Sequence, residues 1–194
     1  MILYKIFYII LFLIFISCEN QRHKNEGSCV SCVDFLKKVS KENIGLFFNT
    51  YIVPRGTNSD GSPTISIIQI TTPSDTTFTF PIGEQLIITD DLSEEHRTDI
   101  LKYANSKGIN DWQSAHNYVL KFTTELQRLY YKLNLLEVHS FPHLGEFVEF
   151  KISKEDLIIF CPDTSKVFSK KWKSFFKYAE KYGSDFYYKK VSKN

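Results

Sequence analysis

Cys29 and Cys32 form a C-x-x-C pair at the predicted start of a helix, a position where thiols can do chemistry. The amino end of a helix lowers the pKa of a nearby thiol, so such a pair can carry out thiol–disulfide exchange. Redox pairs of this kind follow a core strand, whereas a polar segment precedes Cys29. We therefore predict a local structural disulfide between Cys29 and Cys32, with thiol–disulfide exchange as the alternative.

Cys161 follows the continuous apolar run Leu157 to Phe160 and precedes a Pro-Asp pair. A thiol at the end of a buried strand could act as a nucleophile served by a histidine. No glycine flanks it, and the sequence around it does not resemble a nucleophile turn. Because free cysteines are among the most often buried residues, we predict that Cys161 stays reduced inside the core.

His139, His143 and Glu146 are close enough in sequence to share a zinc ion. Pro142 breaks any helical relation between the two histidines, and their spacing matches no zinc-ligand signature. We expect loop and surface positions for these side chains. The sequence predicts no metal and no other cofactor.

An acidic cluster of Asp90, Asp91, Glu94 and Glu95 could bind a cation or a basic partner. The amino end of a helix favours acidic side chains in any case, which is the simpler explanation. The sequence contains no glycine-rich phosphate loop, no G-x-S-x-G and no H-E-x-x-H. These patterns favour a binding protein over an enzyme.

The elements that would position these residues begin after a separate amino-terminal segment. Ile6 to Ile16 is an unbroken run of eleven apolar residues, which suits the apolar core of a signal peptide and is shorter than the ~20 needed to span a bilayer. Phe15, Ile16, Ser17 and Cys18 resemble the lipobox of bacterial lipoprotein precursors. The resemblance implies that residues 1–17 are removed and that Cys18 carries the lipid. An uncleaved signal anchor is the alternative.

Residues 18–28 form the predicted connection between the lipid and the domain. They are polar and charged after Cys18 and show no apolar periodicity, which is typical of a tether. Several acyl chains on one cysteine hold a protein firmly to a membrane. We therefore expect a cell-envelope protein, anchored by lipid on the periplasmic or surface face, in a compartment where thiols tend to pair.

Residues 29–194 are long enough for one globular domain, and a long helix over residues 111–136 is its predicted centre. Asn110 and Gln113 form a capping-box pattern at its start. Its apolar residues recur at three- and four-residue steps and so form one seam. They are Trp112, Ala115, Val119, Phe122, Leu126, Leu129, Leu133 and Leu136.

Runs rich in β-branched and aromatic residues predict strands on both sides of this helix. They are Leu46–Val53, Thr64–Thr72, Thr76–Pro81, Gln85–Thr89, Val148–Ile152, Leu157–Cys161 and Phe186–Val191. The predicted fold class is α+β, with a mostly antiparallel sheet and helices on one face, packed around the long central helix.

Charge is unevenly distributed along the chain. Residues 166–194 contain nine lysines and two acidic residues, a net +7, which leaves −6 for residues 18–165. The predicted helix in this tail carries an apolar stripe, and its lysines lie on a different side. We expect a solvated lysine face, or one that lies against anionic headgroups or an acidic neighbour. The stripe comprises Phe168, Trp172, Phe175, Phe176 and Ala179.

The expected function is that of a lipid-anchored binding or interaction module with a protein partner at the cell envelope. One alternative is an envelope enzyme, either a thiol–disulfide enzyme or a metal-assisted hydrolase. Another is an immunity-like inhibitor of a secreted toxin. The basic tail could suggest nucleic acid, but export and the acidic body argue against it.

Overall fold

The computed structural model describes residues 30–59, 61, 63–82 and 92–191. Its helices are α1 (Val30–Val39), α2 (Glu94–Asn105), α3 (Trp112–Lys132) and α4 (Lys170–Tyr178), with 3-10 turns at Ile44–Phe47 and Thr164–Lys166. Its strands are β1 (Thr50–Ile52), β2 (Gly56–Thr57), β3 (Pro63–Thr64), β4 (Ile67–Thr71), β5 (Thr77–Pro81), β6 (Glu137–His139), β7 (Val148–Lys151), β8 (Asp156–Phe160), β9 (Lys181–Tyr182) and β10 (Phe186–Lys190).

Eight of the described strands form one sheet in the order β5-β4-β1-β6-β7-β8-β10-β9, and β2 and β3 form a separate hairpin. Every pairing in the large sheet is antiparallel. The predicted α+β class with an antiparallel sheet is therefore confirmed.

Helix α3 is the predicted central helix, but it ends four residues earlier than predicted, so Leu136 lies beyond it. Trp112 and Phe122 of the predicted seam are only partly buried. Ala115, Val119, Leu126 and Leu129 are fully buried in the main core. The helix ends after Lys132, two residues before a residue with positive φ. A continuous apolar seam of this length has to be covered along its whole extent, which is why α3 lies at the centre of the helical layer.

The predicted cap of α3 is wrong by one residue. Asp111, and not Asn110, occupies the cap position, and its carboxylate accepts a hydrogen bond from the Ser114 backbone N–H at 2.8 Å. This hydrogen bond holds the pKa of the Asp111 carboxyl below its usual value. Asn and Asp cap helices about equally well, so two adjacent good caps leave the starting residue undecided from sequence.

We expect Asp111→Ala to lower the melting temperature by about 2–4 °C, because the Ser114 N–H in the first turn loses a charged acceptor. The matched variant Asn110→Ala is expected to leave the melting temperature unchanged. Circular dichroism at pH 7 measures both variants. The depressed pKa means that the contribution of Asp111 is lost as the pH falls below about 4. Equal effects of the two variants would contradict the assignment of the cap.

Helices α1, α2 and α3 pack on one face of the sheet and form the main core. Phe150 on β7 contacts Phe35 of α1 and Phe47 of the first 3-10 turn, with ring centroids 5.5 and 5.4 Å apart. Phe80 on β5 packs on Tyr103 of α2 at 5.3 Å. Three of the four described helices thus cover this face around α3.

Helix α4 packs on the opposite face of the sheet and forms a second, smaller core. Trp172 contacts Phe147 at 4.8 Å, and Phe176 contacts Tyr187 of β10 at 4.8 Å. The register explains the side, because Glu149 and its partner Ile159 alternate with Phe150 and its partner Ile158 along β7 and β8. The sheet is therefore covered on both faces where β7, β8 and β10 lie.

Two local predictions are wrong. Phe168 does not belong to the inward stripe, since its side chain is 63% exposed and α4 begins only at Lys170. Leu46 lies in a 3-10 turn and not in a strand, since β1 begins at Thr50 after a residue with positive φ. The predicted strand at 85–89 lies outside the described residues.

Candidate functional site

Half of the sheet face that carries α4 has no described helix on it. Tyr51 on β1 is the register partner of both Gln69 on β4 and His139 on β6, so the three side chains point to the same side. Helix α4 packs further along this face, over β8 and β10. The uncovered part is termed the open half-sheet here; its residues are Tyr51, Val53, Ile67, Gln69, Glu137 and His139.

Aromatic rings form a continuous group across the open half-sheet. The Tyr51 ring lies 5.1 Å from the His139 ring and 5.6 Å from the Phe141 ring, measured between centroids. Phe141 in turn contacts His143 at 5.7 Å. Tyr51 and Phe141 are half-buried, so each ring keeps a solvent-facing surface. Rigid aromatic groups of this type are enriched at protein interfaces.

A pocket of about 130 Å³ opens beside the Tyr51 ring. Its lining combines apolar side chains with an amide and a guanidinium, namely Tyr51, Val53, Arg55, Ile67 and Gln69. Pockets that enclose a whole small-molecule ligand are usually about 300–1,000 Å³. The size of this pocket therefore fits one anchoring side chain of a larger partner better than an enclosed ligand.

Charged groups line the β6 side of the open half-sheet. Lys151 Nζ donates a hydrogen bond to Glu137 Oε1 at 2.6 Å. His139 Nε2 lies 3.3 Å from Glu137 Oε2. This nitrogen atom is buried and has no aligned hydrogen-bond partner among the described residues. Burial lowers the pKa of His139, although Glu137 opposes this shift. The lowered pKa favours the neutral imidazole, in which Nε2 is either a donor or an acceptor depending on the tautomer.

Glu149 lies at the border between the open half-sheet and α4. It is the register partner of His139 on β6 and of Ile159 on β8, and it is half-buried. Burial raises the pKa of its carboxyl to about 7, although the charges of Lys189 and Lys171 act in the opposite direction. A carboxyl group that ionises near neutral pH at the edge of an open surface is typical of a functional position.

Among the described strands, β5 forms the edge of the sheet next to this surface, and two of its residues are poorly suited to pairing with a further strand. On the edge strand β5, the Thr79 backbone N–H donates to the Asp99 carboxylate of α2 at 2.8 Å. Pro81 ends the same strand and has no N–H. Main-chain pairing with a partner strand on β5 is therefore disfavoured, and side-chain contacts on the open half-sheet are the favoured mode of binding.

The cysteines do not form a site in the described part of the chain. Cys18 and Cys29 lie outside the described residues, so lipidation and the Cys29–Cys32 disulfide remain predictions. Cys32 is fully buried on α1. Cys161 is a free thiol with 2% exposure, and burial raises its pKa to about 11, which confirms a reduced core position and disfavours a nucleophilic role.

The candidate metal ligands are not brought together. Glu146 forms an ion pair with Lys166 at 2.7 Å, whereas His143 is exposed and His139 is half-buried on β6. Among the described residues, no group of three histidine, cysteine, aspartate or glutamate side chains is placed to hold a metal ion. Of the predicted acidic cluster, Asp90 and Asp91 are not described.

Comparison of the chain with protein-family models, with curated proteins and with solved structures found no match. Within the part of the chain that is described, no helix is sufficiently long and apolar to cross a membrane.

Proposed function

We propose that this chain is a lipid-anchored binding module of the cell envelope, and that it holds a segment of another protein on the open half-sheet. The observation that carries the proposal is the unequal cover of one sheet face. Helix α4 buries the half formed by β7, β8 and β10, while Tyr51 and its register partners stay partly exposed beside it.

The dimensions of the surface favour a single segment as the ligand. A helix with its side chains is about 10–12 Å across, and α4 occupies that depth on the covered half. A partner helix or extended segment on the open half-sheet would complete the same layer. The pocket beside Tyr51 would receive one anchoring side chain, and Arg55 is exposed at its rim. Tyr and Arg are the residue types that most often dominate binding energy in such contacts.

The lipid anchor is supported by the first 18 residues alone. The apolar run that ends at Ser17 and Cys18 matches the length of a signal peptide and places a small residue before the cysteine. We expect labelled fatty acid to appear on the wild-type chain and Cys18→Ala to leave an unprocessed precursor. Absence of label on the wild-type chain would contradict the proposed lipid anchor. It would not bear on the proposed binding surface.

Photo-crosslinking in intact cells tests the binding surface. A photoreactive residue at Gln69, in the open half-sheet, is expected to give one dominant adduct with a protein. The same residue at Lys121, which is exposed on α3 beyond the other sheet face, is the matched control and is expected to give none of that adduct.

Tyr51→Ala is expected to weaken this contact by about 30-fold, as is usual for an aromatic anchor. Because Tyr51 also packs on His139, a second variant is needed, and Arg55→Glu changes only an exposed rim residue. Loss of the adduct in both variants supports the proposal. Equal adducts from Gln69 and Lys121, or a Gln69 adduct that survives both variants, would contradict it.

A further inference from the structure

We propose that the outward face of α4 lies flat on the anionic headgroups of a bilayer and so fixes the orientation of the anchored domain. This inference rests on the membrane attachment in the proposed function and not on the proposed protein partner. The face is termed the basic face; its residues are Lys170, Lys173, Ser174 and Lys177.

The direction of the basic face follows from the packing of α4. Trp172 and Phe176 point to the sheet and are each 8% exposed. With 3.6 residues per turn, Lys170 and Lys177 lie on the opposite side of the helix, and Lys173 lies between that side and Phe176. The side chains of Lys170, Lys173 and Lys177 are all exposed. None of these three lysines forms an ion pair with another described residue, so their charges are not neutralised within the domain.

Two exposed aromatic residues flank the basic face. Phe168 precedes α4 with 63% exposure, and Tyr178 ends it with 77% exposure. Lys177 Nζ lies 5.2 Å from the Tyr178 ring centroid, so the ring and the charge belong to one surface. Lysines beside exposed aromatic rings are the combination that binds at the boundary between headgroups and acyl chains. An acidic protein surface would match the lysines but would leave Phe168 unexplained.

The tether attaches the domain to the membrane without fixing the orientation of the domain. Eleven residues, 18–28, can extend to roughly 36 Å, so the anchor alone permits many orientations of the domain on the membrane. Each lysine near an anionic surface favours contact by about fivefold, and three give about 100-fold for the orientation with the basic face down. The open half-sheet would then face the bilayer across a gap about one helix wide, which admits a segment and excludes a globular partner.

Lysine footprinting of the full chain in proteoliposomes tests the orientation. The chain is held on the vesicle by acylated Cys18 or by the uncleaved apolar segment, so the readout does not depend on processing. Acetylation rates are compared in neutral phosphatidylcholine vesicles and in vesicles that also contain phosphatidylglycerol. Lys173 and Lys177 are expected to be protected only in the anionic vesicles, and Lys102 and Lys121 on the other side of the sheet are expected to react freely in both.

High salt is expected to remove the protection, because the Debye length falls from about 10 Å at 0.1 M to about 3 Å at 1 M. Lys173→Gln with Lys177→Gln is expected to lower the orientational preference about 30-fold, read from acetylation of Lys170. The matched variant, Lys102→Gln with Lys121→Gln, is expected to leave it unchanged.

Equal reactivity of Lys173 and Lys177 in neutral and anionic vesicles would overturn the inference, as would protection of Lys102 and Lys121 instead. Protection in cells but not in anionic vesicles would identify an acidic protein as the partner of the basic face and would also overturn it. None of these results bears on the Gln69 crosslink, so the two proposals can fail separately.

Discussion

Glu149→Gln is expected to stabilise the domain by about 3 kcal/mol at pH 8 and to change its stability little near pH 4. The carboxyl of Glu149 is half-buried between the open half-sheet and α4, and burial raises its pKa from 4.5 to about 7. Each unit of pKa difference between the folded and unfolded chain corresponds to about 1.4 kcal/mol. Glutamine has nearly the same shape and removes the charge whose burial is unfavourable.

The sign follows from proton binding in the two states. Between about pH 4.5 and pH 7 the unfolded chain has already lost the Glu149 proton, while the folded chain still holds it. Stability therefore falls as the pH rises through this window and stays low above it. Glutamine does not titrate, so the difference between variant and wild type grows across the same window and is complete above about pH 7.

Urea unfolding at several pH values between 4 and 8 measures this difference. Glu146→Gln is the matched control, because its side chain is 54% exposed and is paired only with Lys166. We expect the control to change stability by less than about 0.5 kcal/mol at every pH. A Glu149→Gln effect that does not vary with pH, or a loss of stability at pH 8, would show that burial of the ionised carboxyl does not destabilise the fold.

A carboxyl that destabilises the fold at neutral pH is retained more readily where it serves binding or chemistry than where it serves packing. In the proposed function, a cationic side chain of the bound segment near Glu149 would favour its ionised form. Partner binding at pH 7 is then expected to release protons, and calorimetry in buffers of different ionisation enthalpy would detect them.

The central helix could be predicted from sequence because the apolar pattern that indicates it lies within one continuous stretch of the chain. The three- and four-residue spacing of Ala115, Val119, Leu126 and Leu129 continues over six turns, and no alternative structure buries such a seam. Its two ends could not be predicted. Asn110 and Asp111 are both good caps, and only the hydrogen bond to Ser114 distinguishes them. The apolar spacing continues to Leu136, but the helix ends after Lys132, two residues before Asn134 with its positive φ.

The open half-sheet could not be predicted, because it depends on a strand with no local signal. Strand β6, Glu137–His139, has three residues, too few to show alternation, and it joins β1 to β7 in the centre of the sheet. Without β6, Tyr51 and Glu149 would not lie in one row of neighbouring side chains across the sheet. From sequence alone, His139 is therefore expected in a loop or at the surface, whereas the structure places it on β6 beside Glu149.

The position of α4 was predicted wrongly, because the helices were expected on one face of the sheet and α4 lies on the other. One signal in the sequence does agree with the observed position. The continuous apolar run Leu157 to Phe160 predicts a strand covered on both faces, and Ile158 and Ile159 are both fully buried, one in each core. A second helical cover was therefore required over β8. The stripe of Trp172 and Phe176 shows which side of α4 is inward, but amphipathicity alone does not say which sheet face receives it.

Gly145→Ala is expected to destabilise the domain by more than about 3 kcal/mol, because this glycine forms the joint between the sheet and the segment that leads into α4. Gly145 has φ +130°, a conformation that residues with a side chain rarely adopt. A Cβ atom there would lie 2.6 Å from Val167 Cα and 2.7 Å from the Lys166 carbonyl oxygen, and both are backbone atoms that cannot rotate away.

The two backbones at this joint are held together by hydrogen bonds on both sides of the glycine. The Glu146 N–H donates to the Lys166 carbonyl at 3.2 Å, and the Phe168 N–H donates to the Leu144 carbonyl at 2.9 Å. Separating the backbones enough to admit a methyl group would lengthen these bonds and draw Trp172 away from Phe147. The cost therefore combines backbone strain with partial loss of the second core.

Gly183→Ala separates the two contributions, since Gly183 has φ +70° but no atom within 4 Å of an added Cβ. Backbone strain alone should cost about 1 kcal/mol there. Urea unfolding followed by Trp fluorescence measures both variants, and the Gly145 variant should also show altered emission from Trp172 in the folded state. A Gly145→Ala effect no larger than that of Gly183→Ala would mean that the segment leading into α4 is not fixed at this crossing.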